Sequence, residues 1–460
     1  MAGISRPENI TTRLEQIAQL AKRAPGMVLT SLAYHIDVNM LREAYRRTRK
    51  DGALGVDQQT AAEYAVKLES NLESLNDRFK AGTYKAPPVR RVYIPKAGDP
   101  AKQRPIGVPT FEDKILQRAV TMVLESVYEQ DFLDSSYGFR KGRSQHQAIE
   151  ALWKGLTEMQ DCWVLEIDIK DFYSTLEHRK LRELLDQRVR DGIIRKMIDK
   201  WLRAGVLEEG QISYPDEGTP QGGVVSPMIS NVYLHEVIDK WFEYTVKPRL
   251  ERNAFLIRYA DDAVLVFKSE RDARRVLEVL PKRFGKYGLT LHPEKTRLVR
   301  FHREEGPKGG GKETFDMLGF THYWGTSRKG RAIVVRKTAK DRFRRTIKAI
   351  AEWCETNRHL KVREQFEALV RKLRGHYNYY GITGNYRALA RLHYLAERAW
   401  QKWLNRRSER RHMPWQRFQK VLEHYPLPVP YIIKRPVANP QTRSRMPEIG
   451  PSGSVGEPVG

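Results

Sequence analysis

The stretch FLIRYADDAVLVF, residues 255–267, places two adjacent aspartates inside a run that is otherwise mostly apolar. Apolar segments on both sides of a short polar break predict two strands joined by a tight turn, and they predict that the hairpin is buried. Two carboxylates at one turn repel each other and are costly to remove from water, so Asp261 and Asp262 call for cations nearby. Because aspartate is also a common turn residue, the pair alone is typical of a solvated turn as well.

A second acidic strand end lies upstream, in CWVLEIDIK. Its alternation puts Trp163, Leu165, Ile167 and Ile169 on one face and Val164, Glu166 and Asp168 on the other. Carboxylates that converge from the ends of adjacent strands suit two divalent cations about 3.5–4 Å apart, and hard oxygen ligands favour Mg²⁺. We therefore expect Asp168, Asp261 and Asp262 to form one metal site.

The chain as a whole is strongly basic. Its 460 residues include 82 Lys and Arg against 56 Asp and Glu, which gives a formal charge of +26. Such a charge favours nucleic acid as the partner, with an anionic membrane surface second and a basic solubility shell as the simplest alternative. No apolar run reaches the eighteen or so residues of a membrane span, and the N-terminal residues predict no secretory or transit peptide. Two cysteines exclude a disulfide framework and a Cys-rich zinc site, and they favour a cytoplasmic protein.

The pattern of apolar residues predicts an α+β centre. Residues 1 to about 85 have helical spacing, residues 89–109 predict a basic hairpin, and residues 111–129 and 227–246 predict helices. After Lys337 the chain is expected to be helical and very basic. The segment GTPQGGVVSP lacks the Gly-Lys-Ser/Thr spacing of a phosphate-binding loop, which argues against ATP hydrolysis, and its glycines predict close backbone approach instead.

Seven blocks, in order, resemble those of bacterial group II intron reverse transcriptase/maturases. RYADDAVLVF resembles the Y-x-D-D box. The blocks similar to the rest of the palm and fingers are RVYIPKAGDPAKQRPIGVPTFEDKILQRAV, SYGFRKGRSQHQAI, LEIDIKDFYSTLEH, EGTPQGGVVSPMISNVYLH, GLTLHPEKTRLV and FDMLGFTHYW. They cover residues 80 to 325, and GHYNYYGI further on resembles the thumb or maturase region.

The resemblance implies a right-hand polymerase: α+β fingers and palm with an antiparallel sheet, followed by an all-α basic thumb/maturase domain. We expect a helical N-terminal extension over 1–80, fingers and palm over 81–335, the helical domain over 336–440 and a disordered tail over 441–460. Many relatives carry a Cys/His nuclease domain after the maturase region. The expectation here is that this domain is absent and that second-strand cleavage is dispensed with or supplied from outside.

For the site, the resemblance makes Asp168, Asp261 and Asp262 the catalytic aspartates, which hold two Mg²⁺ together with the Ile169 carbonyl. Asp171 is the decoy, expected to cap a helix. The resemblance also implies substrate contacts: Lys96 and Arg104 clamp the triphosphate, Tyr173 lies under the incoming sugar, Gln221 lies beside the nucleotide, and Phe139 and Arg140 touch the template base or the nucleotide. A ring at Tyr173 leaves no room for a 2′-hydroxyl and so selects deoxynucleotides. Solvated turn charges, core packing of Tyr173 and a plain surface loop at 139–140 are the alternatives.

A cluster of arginines, Arg406, Arg407, Arg410 and Arg411, is expected to contact RNA or DNA. Together these features predict an RNA-directed DNA polymerase that uses dNTPs, an RNA template and a DNA primer or target. It also binds group II intron RNA to assist splicing and retrohoming. An RNA-directed RNA polymerase, a splicing cofactor without polymerase activity, and a domesticated reverse transcriptase serving phage defence, repair or spacer acquisition are the rivals. The sequence leaves monomer and dimer open.

Overall fold

The structure is a computed structural model that describes residues 10–96, 99–208, 211–214, 218–219, 222–303, 313–407 and 413–433, with the backbone alone for 96 and 99–102. The predicted disordered tail, Gln221, Arg410, Arg411 and the side chain of Lys96 lie outside the described residues. The chain divides into two compact units, Met1–Ala349 and Ile350–Gly460. Helices combine with mainly antiparallel sheets, as predicted for an α+β chain.

The helices of the described ranges are α1 (Ile10–Arg23), α2 (Val38–Arg47), α3 (Ala61–Val66), α4 (Leu68–Lys80), α5 (Phe111–Tyr128), α6 (Gln145–Met159), α7 (His178–Asp186), α8 (Gly192–Leu202), α9 (Ser226–Leu234), α10 (Glu270–Gly285), α11 (Lys340–Thr356), α12 (Val362–Tyr380), α13 (Tyr386–Asn405) and α14 (Trp415–His424). The strands are β1 (Val89–Lys96), β2 (Asp99–Val108), β3 (Cys162–Ile167), β4 (Val206–Glu208), β5 (Gln211–Ser213), β6 (Ala254–Tyr259), β7 (Asp262–Phe267), β8 (Arg297–Phe301), β9 (Phe315–Met317), β10 (Phe320–Thr326) and β11 (Ala332–Thr338). Over these ranges, no helix has both the length and the apolar character needed to span a membrane.

A four-stranded antiparallel sheet in the order β6–β7–β3–β8 lies in the first unit. Strands β6 and β7 are the hairpin predicted over residues 255–267, and Leu256 pairs with Leu265 across it. The polar face predicted for β3 is only partly right, because Val164 is as fully buried as Leu165. The reason is that β3 is an interior strand, and helix α10 packs on it. Within β3 Glu166 keeps a polar role, in an ion pair with Arg297, and Asp168 follows the end of the strand.

The basic hairpin predicted over residues 89–109 is also confirmed, as β1 and β2. These strands join a second sheet in the order β2–β1–β4–β5, in which β4 runs parallel to β1 for two residue pairs. In the hairpin, Arg104 lies opposite Ile94. A three-stranded sheet, β11–β10–β9, completes the first unit, and the Trp153 indole in α6 donates to the Val334 carbonyl at 2.9 Å.

Helix α5 is the hydrophobic centre of the first unit. Thr110 caps its N-terminus, where its Oγ1 accepts a hydrogen bond from Asp113 N at 3.3 Å, and most residues of the helix are buried. Helices α1 and α2 pack against it, and one hydrophobic core runs from Ile17 to Leu289. The helix predicted over 227–246 begins as α9 and continues as a π-helix, His235–Val246.

Both cysteines are free and buried. Cys162 opens β3, where its Sγ lies 3.9 Å from the Phe301 carbonyl oxygen, and Cys354 lies in α11. Removal from water raises the pKa of each thiol to about 12.

In the second unit, α12 and α13 pack against each other. The buried side chains of α13 are Leu389, Leu392, Ala396, Trp400 and Leu404. The Trp400 indole donates to Gln365 Oε1 of α12 at 3.0 Å. Arg406 and Arg407, just after α13, are exposed.

Candidate active site

Strand register brings the three predicted aspartates together. Ile167, the last residue of β3, pairs with Ala263 of the antiparallel strand β7. The next residue on one strand and the preceding residue on the other, Asp168 and Asp262, therefore meet at the same edge of the sheet. Asp261 precedes Asp262 in the turn between β6 and β7. All three line one cleft of about 630 Å³.

The carboxylates of this cleft disturb one another. Removal from water and the nearby Asp168 raise the pKa of Asp261, and the Arg104 guanidinium partly offsets that rise. Asp262 opens into the cleft, yet enclosure by the cleft walls, followed by repulsion from Asp261 and Asp168, raises its pKa to about 6. Shifts of this kind mean that the ionised site gains stability from any cation that enters it.

A lysine that the sequence reasoning missed already supplies one such charge. Lys295 Nζ lies 2.7 Å from Asp168 Oδ2. The same turn holds the Asp168 backbone, because His292 N donates to the Asp168 carbonyl at 2.8 Å. The block GLTLHPEKTRLV contains both residues, but nothing in its spacing predicts that its lysine faces an aspartate.

The donor set suits Mg²⁺ in its chemistry. Carboxylate and carbonyl oxygens are the ligands that Mg²⁺ prefers, and Ile169, the predicted carbonyl ligand, also lines the cleft. Across the described ranges, no three His, Cys, Asp or Glu side chains stand close enough to form a metal-binding group. The carboxylates therefore share a cleft without forming a closed metal cage.

Tyr173 lies in the cleft, half-buried, where burial and the Asp261 carboxylate raise its pKa. Phe172 packs beneath it in the core, with ring centroids 5.3 Å apart. The glycine-rich segment is attached to this turn: Thr219 N donates to the Tyr173 carbonyl at 2.7 Å. A Cβ on Gly218, at φ +87°, would lie 2.8 Å from the same oxygen, which confirms the predicted close approach.

Two basic residues are predicted to bind the triphosphate. One of them, Arg104, is exposed and lines the cleft. Lys96 ends β1, and its side chain lies outside the described residues. Gln221, predicted beside the nucleotide, falls in a part of the chain that is not described. Gly222, just after it, approaches the hairpin, since a Cβ there would lie 2.6 Å from the Gly107 carbonyl oxygen.

Phe139 and Arg140, predicted to act together, lie in different environments. Phe139 is 53% exposed and lines the cleft. Arg140 is buried, with its guanidinium 3.0 Å from Glu129 Oε2 and 2.6 Å from the Leu133 carbonyl oxygen. The contact predicted between Arg140 and template or nucleotide is therefore wrong for this structure, because the protein itself occupies its donors. The residue secures the turn that presents Phe139.

Backbone strain concentrates around the cleft. Six non-glycine residues of the described ranges have positive φ, and four of them line it: Phe139, Asp171, Ala260 and Leu318. Such conformations persist where surrounding structure enforces them, and they cluster at functional sites. For Asp171 the predicted helix cap is wrong: its carbonyl accepts from Ser174 N at 2.8 Å to close a turn, and its side chain is exposed.

Comparison with known proteins adds independent information. The sequence model of the family "Reverse transcriptase (RNA-dependent DNA polymerase)" matches residues 94–322. Protein YkfC of Escherichia coli K12 is 34% identical over 280 residues, which cover 53% of this chain and 71% of YkfC. Group II intron-encoded protein LtrA of Lactococcus lactis subsp. cremoris is 40% identical over 186 residues, or 40% of this chain. The putative COX1/OXI3 intron 2 protein of Saccharomyces cerevisiae is 28% identical over 290 residues, or 62% of this chain.

The match covers only 30% of LtrA and 31% of the yeast protein. The family model spans all three cleft aspartates. On the strength of that model and of the match to YkfC, the chain belongs to the reverse transcriptase family and is a homologue of group II intron-encoded proteins.

Proposed function

We propose that this protein is an RNA-directed DNA polymerase whose active site is the cleft of Asp168, Asp261 and Asp262. The observation that carries the proposal is the register of β3 and β7, which sets carboxylates from two strand ends and one turn in a single cleft. Neighbouring carboxylates in one cleft, with the pKa values of Asp261 and Asp262 raised by burial and by their acidic neighbours, are typical of a functional site. Membership of the reverse transcriptase family supports the same reaction.

In this proposal Asp168, Asp261, Asp262 and the Ile169 carbonyl hold two Mg²⁺. The ions, when bound, lower the pKa of the primer 3′-hydroxyl and stabilise the pyrophosphate leaving group. The three aspartates orient that site. Lys295 balances the charge of Asp168 in the structure, 2.7 Å from its Oδ2.

In the same proposal, further residues bind the incoming dNTP. Arg104 and Lys96 clamp the triphosphate, Tyr173 lies under the sugar, and Gln221 and Phe139 border the nucleotide and the template base. Residues 81–335 would form fingers and palm of a right hand, and residues 336–440 the thumb. The exposure of Arg104 and Phe139 at the cleft supports their part of this assignment.

The proposal extends to intron RNA. The relative LtrA is named a group II intron-encoded protein, and the chain carries a formal charge of +26, which suits an RNA partner. We propose that residues 336–440, the predicted thumb/maturase domain, bind group II intron RNA to assist its splicing, and that a DNA target supplies the primer for retrohoming.

The test is primer extension with purified protein, a DNA primer on an RNA template, dNTPs and Mg²⁺. The double variant Asp261→Asn/Asp262→Asn should lose DNA synthesis by about 1,000-fold or more while template binding by filter retention stays unchanged. Asp171→Asn is the matched control, because it neutralises an exposed aspartate of the same cleft that the proposal leaves without a role. Substantial synthesis by the double variant would show that these carboxylates are not the catalytic ones.

A further inference from the structure

One arginine beside the cleft is buried more deeply than its charge alone would allow. Arg258, in β6, is 1% exposed. Asp239 of the π-helix compensates it: Arg258 Nε donates to Asp239 Oδ1 at 2.7 Å, and Nη2 donates to Oδ2 at 2.6 Å. Asp239 is itself fully buried, and the pKa of its carboxyl is lowered by Arg258 against the effect of burial. The Arg258 guanidinium therefore favours the ionised form of Asp239 inside the core.

The other donors of Arg258 reach the two turns that border the cleft. Nη1 donates to the carbonyl of Ala260, the residue before Asp261, at 3.0 Å. Nη2 donates to Ser136 Oγ at 2.7 Å, in the segment that leads to Phe139. A guanidinium has a rigid fork of donors, so it fixes the directions of these groups as well as their distances.

Asn231 of α9 provides a second connection between Arg258 and the turn of Phe139. Its Oδ1 accepts from Arg258 Nη1 at 3.0 Å, and its Nδ2 donates to the Gly138 carbonyl at 2.7 Å. The turns themselves are in direct contact, because a Cβ on Gly138 would lie 2.3 Å from Ala260 N. Reciprocal backbone bonds complete the joint: Tyr137 N donates to the Arg258 carbonyl, and Arg258 N to the Ser135 carbonyl.

Both turns are strained where they meet the cleft. Ala260 has φ +56° and Phe139 has φ +57°, so each turn needs outside bonds to hold its shape. A buried ion pair is often no more stabilising than apolar side chains of similar volume, so Arg258 and Asp239 need not be present for stability. Specific orientation of the two turns is what an apolar pair could not supply.

We propose that Arg258 is a positioning residue that locks the turn of Asp261 and Asp262 to the turn of Phe139. The assignment rests on the proposed polymerase function, in which one turn carries catalytic aspartates and the other borders the nucleotide. Without the bonds from Arg258, the aspartates are displaced from the reacting atoms, and kcat falls. The residues that bind primer and template elsewhere are unaffected, so the KM for primer–template does not change.

The test compares Arg258→Lys with Arg188→Lys. Arg188 is the matched control: it is also buried, 5% exposed, and pairs with Asp131 at 2.8 Å, but its other donors go to the carbonyls of α1 and the residues after it. Both variants lose a buried guanidinium fork, so both should lower Tm. Only Arg258→Lys should lower kcat, by about 100-fold, with the KM for primer–template within about twofold of the original.

Hydrogen–deuterium exchange supplies a readout that does not depend on activity. Arg258→Lys should speed exchange in residues 135–140 and 259–263 together, and Arg188→Lys in neither. If Arg258→Lys does not fold, Asn231→Ala takes its place, since it removes the bond to the Gly138 carbonyl and one acceptor of the Arg258 guanidinium, and it should speed exchange in both segments.

The proposal is overturned if kcat per folded molecule falls no further for Arg258→Lys than for Arg188→Lys, or if the two segments keep their exchange rates. Should the unaltered protein make no DNA at all, the polymerase assignment fails. The exchange experiment then still decides whether Arg258 locks the turns.

Discussion

In the proposed polymerase, Tyr173 is the residue that would set the choice between dNTP and rNTP. Its ring is half-buried on Phe172 and faces the cleft, where burial and the Asp261 carboxylate raise its pKa and the Arg104 guanidinium partly offsets that rise. A side chain held between a packed ring below and two charged groups beside it has little freedom to move. Tyr173 therefore presents a fixed surface to whatever sugar the cleft binds.

Tyr173→Ala should reduce the preference for dNTP over rNTP, measured as the ratio of kcat/KM values, by about tenfold or more, because removing the ring makes space for a 2′-hydroxyl. Tyr173→Phe is the control, since it keeps the ring and should keep the ratio. An unchanged ratio in Tyr173→Ala would return the residue to plain core packing and reopen the RNA polymerase alternative.

Single residues also mark where sequence reasoning succeeds and where it stops. Asp168, Asp261 and Asp262 could be predicted as a set, because each stands at a break in an apolar strand pattern and the family resemblance joins them. The burial of Arg140 and Arg258 could not be predicted, because isolated charges are typical of the surface and their partners, Glu129 and Asp239, lie on other elements.

Among the elements, α5 connects the core to the glycine-rich segment through two side chains. Asp113 accepts hydrogen bonds from Tyr84 Oη at 3.1 Å, Trp201 Nε1 at 2.8 Å and Gln117 Nε2 at 2.9 Å. Gln117 Oε1 in turn accepts from the amide of Val224 at 2.7 Å. Because all three partners of Asp113 donate, the carboxylate form fits the network, although burial raises its pKa to about 6.

This network predicts a pH dependence of stability. The pKa of Asp113 in the folded chain, about 6, lies above the ordinary value of 3.8. Between these values the folded chain keeps a proton that the unfolded chain loses, so the free energy of unfolding falls as the pH rises from about 4 to 6. In Asp113→Asn this contribution is absent, and its full size is about 3 kcal/mol.

Urea denaturation of the original protein and of Asp113→Asn at several pH values between 4 and 7 measures the difference. Asp262, whose pKa is also about 6, contributes to both proteins and cancels. Asp77→Asn, at an exposed position of α4, is the control and should keep the slope of the original protein. Parallel slopes for Asp113→Asn and the original would mean that Asp113 does not hold the proton.

Helices and strands could be predicted where the local pattern determines them, but which side chains are buried could not be predicted where a neighbouring element determines it. The two hairpins and α5 follow from strand alternation, turn residues and helical spacing, and they are confirmed. In α13 helical spacing alone fits burial either of Ala399 and Trp403 or of Trp400 and Leu404, and the structure buries Trp400 and Leu404. After Ala396 a step of three residues leads to Ala399 and a step of four leads to Trp400, and both steps fit a helix. The hydrogen bond from Trp400 to Gln365 of α12 favours burial of Trp400.

For the whole molecule, the excess of positive charge predicts that nucleic-acid affinity and DNA synthesis depend on different residues. Arg406 and Arg407 are exposed, with Arg406 5.2 Å from the Trp403 ring and Arg407 donating to the His359 carbonyl at 3.2 Å. Neutralising them together with Arg410 and Arg411 should weaken binding of intron RNA or target DNA and flatten its salt dependence. Each phosphate contact that is lost reduces the log–log slope by about 0.7 to 0.9.

Filter binding over a salt series gives that slope, and a splicing assay should fall in parallel. Extension of a short annealed primer at protein concentrations above Kd should fall much less, and Asp261→Asn should show the reverse pattern. Arg363→Ala is the control within the same unit, because Arg363 is paired with Glu367 at 3.1 Å. Normal RNA binding and splicing by the four-arginine variant would remove this region from the maturase proposal.

The two buried thiols have a practical consequence for single-molecule work. Burial raises the pKa of Cys162 and Cys354, which favours the unreactive thiol form at neutral pH, and both lie out of reach of solvent. A maleimide dye added to the native chain should therefore find no partner among them. A cysteine introduced at an exposed position such as Ser74 would then be the one labelled, so its fluorescence could be recorded without removing either native cysteine.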